Sequence, residues 1–67
     1  MAVARVTKIT ASSPKSFQDA VNEGLSRASG TLRGITGLEV VAQKAKVEGG
    51  KITEYRSTIE VTFVLEG

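Results

Sequence analysis

From Tyr55 onward the chain alternates. Tyr55, Ser57, Ile59, Val61, Phe63 and Leu65 fall on one side of an extended segment, and Arg56, Thr58, Glu60, Thr62, Val64 and Glu66 on the other. A period of two places successive side chains on opposite faces, so this stretch predicts a long strand with one buried face. Its partner lies just upstream. Gly49-Gly50 is a two-residue hairpin signal, because both turn positions need φ > 0 and glycine adopts it without steric cost. A strand from about Thr36 to Glu48 therefore folds back on the one that begins at Lys51. Pairing Glu48 with Lys51 and counting outward sets Val40 opposite Ile59 and Leu38 opposite Val61, a core face. The other face receives Gly37, Glu39, Val41, Gln43, Ala45 and Val47 together with Arg56, Thr58, Glu60 and Thr62, and a bulge would shift part of that set.

Upstream, Val3 to Thr10 is rich in β-branched residues and predicts a first strand, which Ala11-Ser12-Ser13-Pro14 interrupts. Ser13 before Pro14 is a helix-start signature: the hydroxyl accepts a free backbone N–H, and the fixed φ of proline suits the first turn. Phe17, Ala20, Val21, Gly24, Leu25, Ala28 and Leu32 then recur at steps of three and four, the stripe of one amphipathic helix ending between Gly30 and Arg33. Glu23 and Arg27 have the favourable i, i+4 order, worth about 0.3–0.5 kcal/mol. The expected fold is α+β, in the order β-α-β-β: a three-stranded antiparallel sheet packed on one helix, with the last strand between the other two. A single domain takes in residues 1–67. One sheet face meets the helix, and a partner subunit is expected to cover the other, which carries Val41, Val47, Ile52 and Val64.

Composition narrows the chemistry. At 67 residues the core is small, and with only two Phe and one Tyr it must be built from aliphatic side chains. The chain has no Cys and no His, which excludes disulfides, thiol nucleophiles, imidazole bases and Cys/His zinc sites. Small chains without such supports often associate instead. A net charge of +2, scattered along the chain, does not form a nucleic-acid footprint. No apolar run approaches the roughly 18 residues of a membrane helix, and Met1-Ala2-Val3-Ala4-Arg5 lacks a signal-peptide layout, so a soluble cytoplasmic chain is expected.

Across nearly its whole length the chain resembles the dodecins. The resemblance is carried by Ile9-Thr10-Ala11-Ser12-Ser13 leading into Ser16-Phe17 and Ala20, by Arg27-Ala28, Thr31-Leu32-Arg33 and Leu38-Glu39-Val40, and by the ending from Tyr55 through Val61, Phe63, Leu65 and Glu66. It implies a small β-α-β-β subunit of a hollow homo-dodecamer that binds flavins (FMN, FAD or riboflavin) in pairs between subunits. It further implies a Trp at the start of the second strand, stacking on the flavin ring, and a Gln in the third strand, bonded to the ring's polar edge. Here Gly37 stands at the Trp position and Arg56 at the Gln position, and Val64 stands where many relatives have Arg. Gly37 and Arg56 are the candidate ligand-binding residues, on one sheet face. If stacking here resembles base–aromatic stacking, losing the ring costs about 1–3 kcal/mol, or roughly tenfold to more than a hundredfold in affinity.

Arg56 presents a guanidinium fork suited to a phosphate, while its structural alternative is a strand arginine in a salt bridge between subunits. Gly37 either opens a gap for a flat ligand or marks a bulge. Glu39 and Glu60 face each other in the derived register, which is destabilising unless a cation compensates. Arg5, Lys8 or Arg33 is the expected compensator, and a calcium or magnesium ion the alternative, since carboxylate oxygens suit hard cations. No nucleophile, phosphate loop or oxyanion-hole motif accompanies these carboxylates, and Ser12 and Ser13 have no His as base, so no enzyme is expected. Two functions follow: a shell sequestering a small ligand, with a flavin held weakly or in an altered way, or a structural or divalent-cation-binding relative.

Overall fold

The computed structural model describes residues 3–65. Its elements run β1 (Val3–Ser13), α1 (Phe17–Thr31), β2 (Ile35–Glu48) and β3 (Lys51–Leu65). The sheet order is β1-β3-β2, and β3 is antiparallel to both neighbours. The α+β architecture is thus the expected one. Gly49 and Gly50 make the hairpin turn with φ of 59° and 78°.

β1 runs three residues beyond its expected end, because Ala11, Ser12 and Ser13 continue to pair with Ser57, Arg56 and Tyr55. That extension moves the helix start. Ser16, not Ser13, is the N-cap, its Oγ accepting the Asp19 N–H at 2.9 Å. The side chain of buried Ser13 instead braces the turn, accepting the Lys15 N–H at 3.0 Å and donating to the Asp19 carboxylate. Leu32 closes α1 by donating its N–H to the Ala28 carbonyl.

α1 lies over β1 and β3, with Ala20, Val21, Gly24 and Ala28 buried beneath it. Val21, Ala28, Ile59 and Val61 form the core, flanked by Ile9, Leu32 and Ile35. Leu38 and Val40 do pair with Val61 and Ile59, on the face that bears α1. They are nonetheless 37% and 41% exposed, which corrects their expected place in the core: α1 lies mainly over β1 and β3 and makes only slight contact with β2. Beyond that footprint the hairpin projects as a bare ribbon, and the molecule measures 52 × 19 × 12 Å.

Register shifts revise the expected faces. β3 carries an extra residue at Thr53 and β2 at Val41, with a further irregularity at Thr36. The first two cancel, so Glu48–Lys51, Val40–Ile59 and Leu38–Val61 pair as expected, whereas Lys44 rather than Gln43 lies opposite Arg56. Gln43 and Ala45 accordingly pair with Ser57 and Tyr55 on the helix side. No helix among the described residues is long and apolar enough to cross a membrane.

Candidate functional site

The candidate residues sit on the open face of the sheet, away from α1, in rows set by the pairing. Val6, Thr62 and Gly37 form one row; Lys8, Glu60 and Glu39 the next; then Thr10, Thr58 and Ala42; then Ser12, Arg56 and Lys44. Thr10 and Thr58 share a hydrogen bond between hydroxyls at 3.0 Å. The face is therefore polar in its middle, with exposed Val6 near one end, whereas Val47 and Ile52, expected on this face, are carried by the bulges to the helix side of the hairpin.

Gly37 has no heavy atom within 4 Å of where a Cβ would stand, so the surface above it is open space. A flat ring fits there sterically, but nothing beside Gly37 in this row offers an aromatic face to stack on. Arg56 donates to Glu54 across 3.1 Å, an exposed ion pair within one strand. That hydrogen bond, with a further one from Ser12, holds the Glu54 carboxyl below its ordinary range. Gly37 pairs with Thr62, six positions along β3 from Arg56, so at about 3.3 Å per residue the two sites are about 20 Å apart. They share a face, as their spacing predicts, but one chain does not bring them together.

Glu39 and Glu60 are brought together, directly cross-strand, and Lys8 pairs with Glu60 from the other side. Of the three cations expected to compensate them, Arg5 lies across from Phe63 on the helix side and Arg33 lies in the connection before β2. Lys8 alone stands in their row. Among the described residues the ion pairs within 4 Å are Lys46–Glu48 and Arg56–Glu54, so neither Glu39 nor Glu60 has a contact counter-ion, and Glu23 and Arg27 do not pair. No group of three or more potential metal ligands occurs among the described residues. Two carboxylates alone fall well short of the six to eight oxygens that calcium takes.

A cavity of about 560 Å³ lies elsewhere, at the C-terminal end of α1 between Leu32, Arg33, Gly34, Phe63 and Leu65. A second, about 360 Å³ and lined by Ser12, Ser13, Lys46, Thr53 and Glu54, adjoins the Arg56 row. The sequence reading missed Glu54 as the partner of Arg56, although two opposite charges at i, i+2 on a strand share a face.

The Dodecin family model matches residues 3–66. The structure is similar to the dodecin of Streptomyces davaonensis, with a TM-score of 0.92, 33% identity and coverage of 98% of this chain and 97% of that one. It is similar to the dodecin of Streptomyces coelicolor at a TM-score of 0.93 and 30% identity, covering 98% and 94%. It also matches the calcium dodecin of Mycobacterium tuberculosis, a calcium-chelating protein with a calcium-binding site, at a TM-score of 0.82 and 34% identity, covering 96% and 91%. No curated protein is similar enough to match.

Proposed function

Because this chain belongs to the dodecin family, we propose that it is the subunit of a homo-dodecameric shell that takes up and sequesters a small ligand, a flavin held with weak or altered affinity, without turning it over. The observation that carries this is the bare apolar surface on both sides of the sheet. Leu38 and Val40 are exposed on the helix side, and Val6 is 53% exposed on the open side. Two patches on opposite faces need two different contacts, and a chain with two interfaces builds an assembly larger than a dimer. A second copy turned end for end on the open face also closes the 20 Å gap, bringing one copy's Gly37 over the other's Arg56. The same proposal keeps the protein in the cytoplasm, with neither nucleic acid nor membrane as partner.

A second function is favoured by a specific observation: Glu39 faces Glu60 with no contact counter-ion, in a chain 34% identical to a calcium-chelating dodecin. Calcium or magnesium at these carboxylates, its shell completed by a neighbouring copy, is the alternative ligand. Light scattering gives the assembly mass, and a value near twelve chains supports the shell while a monomer overturns it. Fluorescence titration of riboflavin and FMN then separates the ligands. Saturable quenching at micromolar ligand supports the flavin. Its absence, together with heat released on adding calcium, favours the cation.

A further inference from the structure

We infer that the open face closes on the same face of a second copy, turned end for end about the Thr10–Thr58–Ala42 row, so that Glu39 and Glu60 of one copy meet Lys44 and Arg56 of the other. The inference rests on the homo-oligomeric shell proposed above and names one contact between its subunits. Two like-charge pairs stand on this face, each directly cross-strand: Glu39 opposite Glu60, and Lys44 opposite Arg56. Each is destabilising in a lone chain. Among the described residues Glu39, Glu60 and Lys44 have no counter-ion within 4 Å, and Arg56 has Glu54 alone.

The two pairs are placed symmetrically. Glu60 lies two positions beyond Thr58 along β3 and Arg56 two positions before it, with Glu39 and Lys44 beside them on β2. At about 3.3 Å per residue the acidic and basic rows are about 13 Å apart, and the Thr10–Thr58–Ala42 row runs midway between them. A half-turn about that middle row, in the plane between two stacked sheets, lays β2 on β2 and β3 on β3 and carries each acidic row onto a basic one. The contact is isologous: Glu39 meets Lys44 and Lys44 meets Glu39, Glu60 meets Arg56 and Arg56 meets Glu60. Two Thr and one Ala on the axis are small and uncharged, so the sheets can approach there. Gly37 of one copy then lies one row from Arg56 of the other, which keeps the two candidate ligand residues adjoining.

The charges balance in this arrangement. Across three strands the acidic row Lys8, Glu60, Glu39 keeps a net negative charge, and the row Ser12, Arg56, Lys44 is positive. Arg56 is not locked away from the contact, because its bond to Glu54 is an exposed one within a single strand. When it turns to Glu60 of the second copy, Glu54 still has Lys46 directly across the ladder. The second copy thus supplies both compensations that one chain lacks, without a metal ion.

The test begins with the unmodified chain. Isotopically light and heavy copies are mixed before assembly and treated with a carbodiimide, which joins a carboxylate to an amine in direct contact. A Glu39–Lys44 link between a light and a heavy copy is expected by mass spectrometry. Two charge variants extend the test. Lys44→Glu with Arg56→Glu makes both rows acidic, and Glu39→Lys with Glu60→Lys makes both basic. Each alone is expected to sediment at a lower mass than the parent, and their equimolar mixture to regain the parent mass, because every row again meets its opposite. An assembled parent without the light–heavy link, variants that separately keep the parent mass, or a mixture that stays dissociated overturns this contact and leaves the shell standing. A parent dimer that carries the link supports the contact and overturns the shell, and a monomeric parent overturns both.

Discussion

The Oγ of Ser57, a fully buried residue of β3, donates to the main-chain carbonyl of Phe17 across 3.1 Å, fastening the middle of the sheet to the first turn of α1. Phe17 and Tyr55 reinforce the same junction, their rings edge to face at 5.0 Å. The helix is thereby held over β1 and β3, and most of β2 is left without cover. Replacing Ser57→Ala removes a buried hydrogen bond worth about 0.5–1.5 kcal/mol, and thermal unfolding followed by circular dichroism should show that loss with the helical signal intact below the transition.

Gly24 and Gly30 lie in one helix but respond in opposite ways. A Cβ at Gly24 would stand 3.2 Å from both the Ala11 Cβ and the Ile59 Cδ1, whereas at Gly30 it would meet nothing within 4 Å. Gly24→Leu is expected to destabilise by about 1–3 kcal/mol, through overpacking between helix and sheet. Gly30→Ala should stabilise by up to about 1 kcal/mol, through helix propensity alone. Denaturant midpoints of the two variants, moving in opposite directions, check this.

Restoring an aromatic surface is sterically open at Gly37, where the space above the strand is empty and the backbone is not in the left-handed region. The double variant Gly37→Trp with Arg56→Gln is expected to tighten flavin binding by roughly tenfold to a hundredfold, since a stacking ring contributes about 1–3 kcal/mol. Flavin fluorescence titration of parent and variant reads the ratio directly, and an unchanged ratio would mean that these positions do not face the ligand.

The Glu54 carboxyl is held below its ordinary range chiefly by Arg56, with Ser12 contributing. A depressed folded-state pKa means stability that is present above the unfolded value of 4.5 and lost as pH falls through the folded one. Arg56→Ala should raise the Glu54 titration midpoint toward 4.5, and because the pair is exposed the shift should shrink in high salt. Carboxyl-carbon NMR across an acid titration measures both.

If the Glu39–Glu60 pair is a cation site, Glu39→Gln should abolish calcium uptake measured by calorimetry. It should also leave the calcium-free protein more stable than the parent by a few tenths of a kcal/mol, because like charges directly cross-strand are destabilising. A variant that still takes up calcium as the parent does excludes these carboxylates.

The elements most legible in the sequence are those where local chemistry and tertiary packing agree. Gly49-Gly50 adopts the positive φ that its composition predicts, and the stripe Ala20, Val21, Gly24, Ala28 is the buried face of α1. The helix start was less legible, because Ser13 and Ser16 are both competent caps; β1 decides between them by pairing as far as Ser13 with Tyr55. The bulges at Val41 and Thr53 leave no trace in residue type, since both side chains are ordinary strand formers. Their cancellation hides them further, preserving the pairs at either end while turning Gln43 and Ala45 away from Arg56. For the candidate site, the face shared by Gly37 and Arg56 follows from alternation, but their separation follows only from the strand length between them. The exposure of Leu38 and Val40 depends on where α1 lies across the sheet, which the periodicity of each element does not encode.

A body only 12 Å thick along its shortest axis has an interior just beneath α1 and nowhere else. In the shell proposed above, folding and association would then be one equilibrium rather than two successive ones, because much of the apolar surface would lose its water only when chains meet. The melting midpoint should accordingly climb as protein concentration is raised, as it does whenever the native state alone is the species that binds.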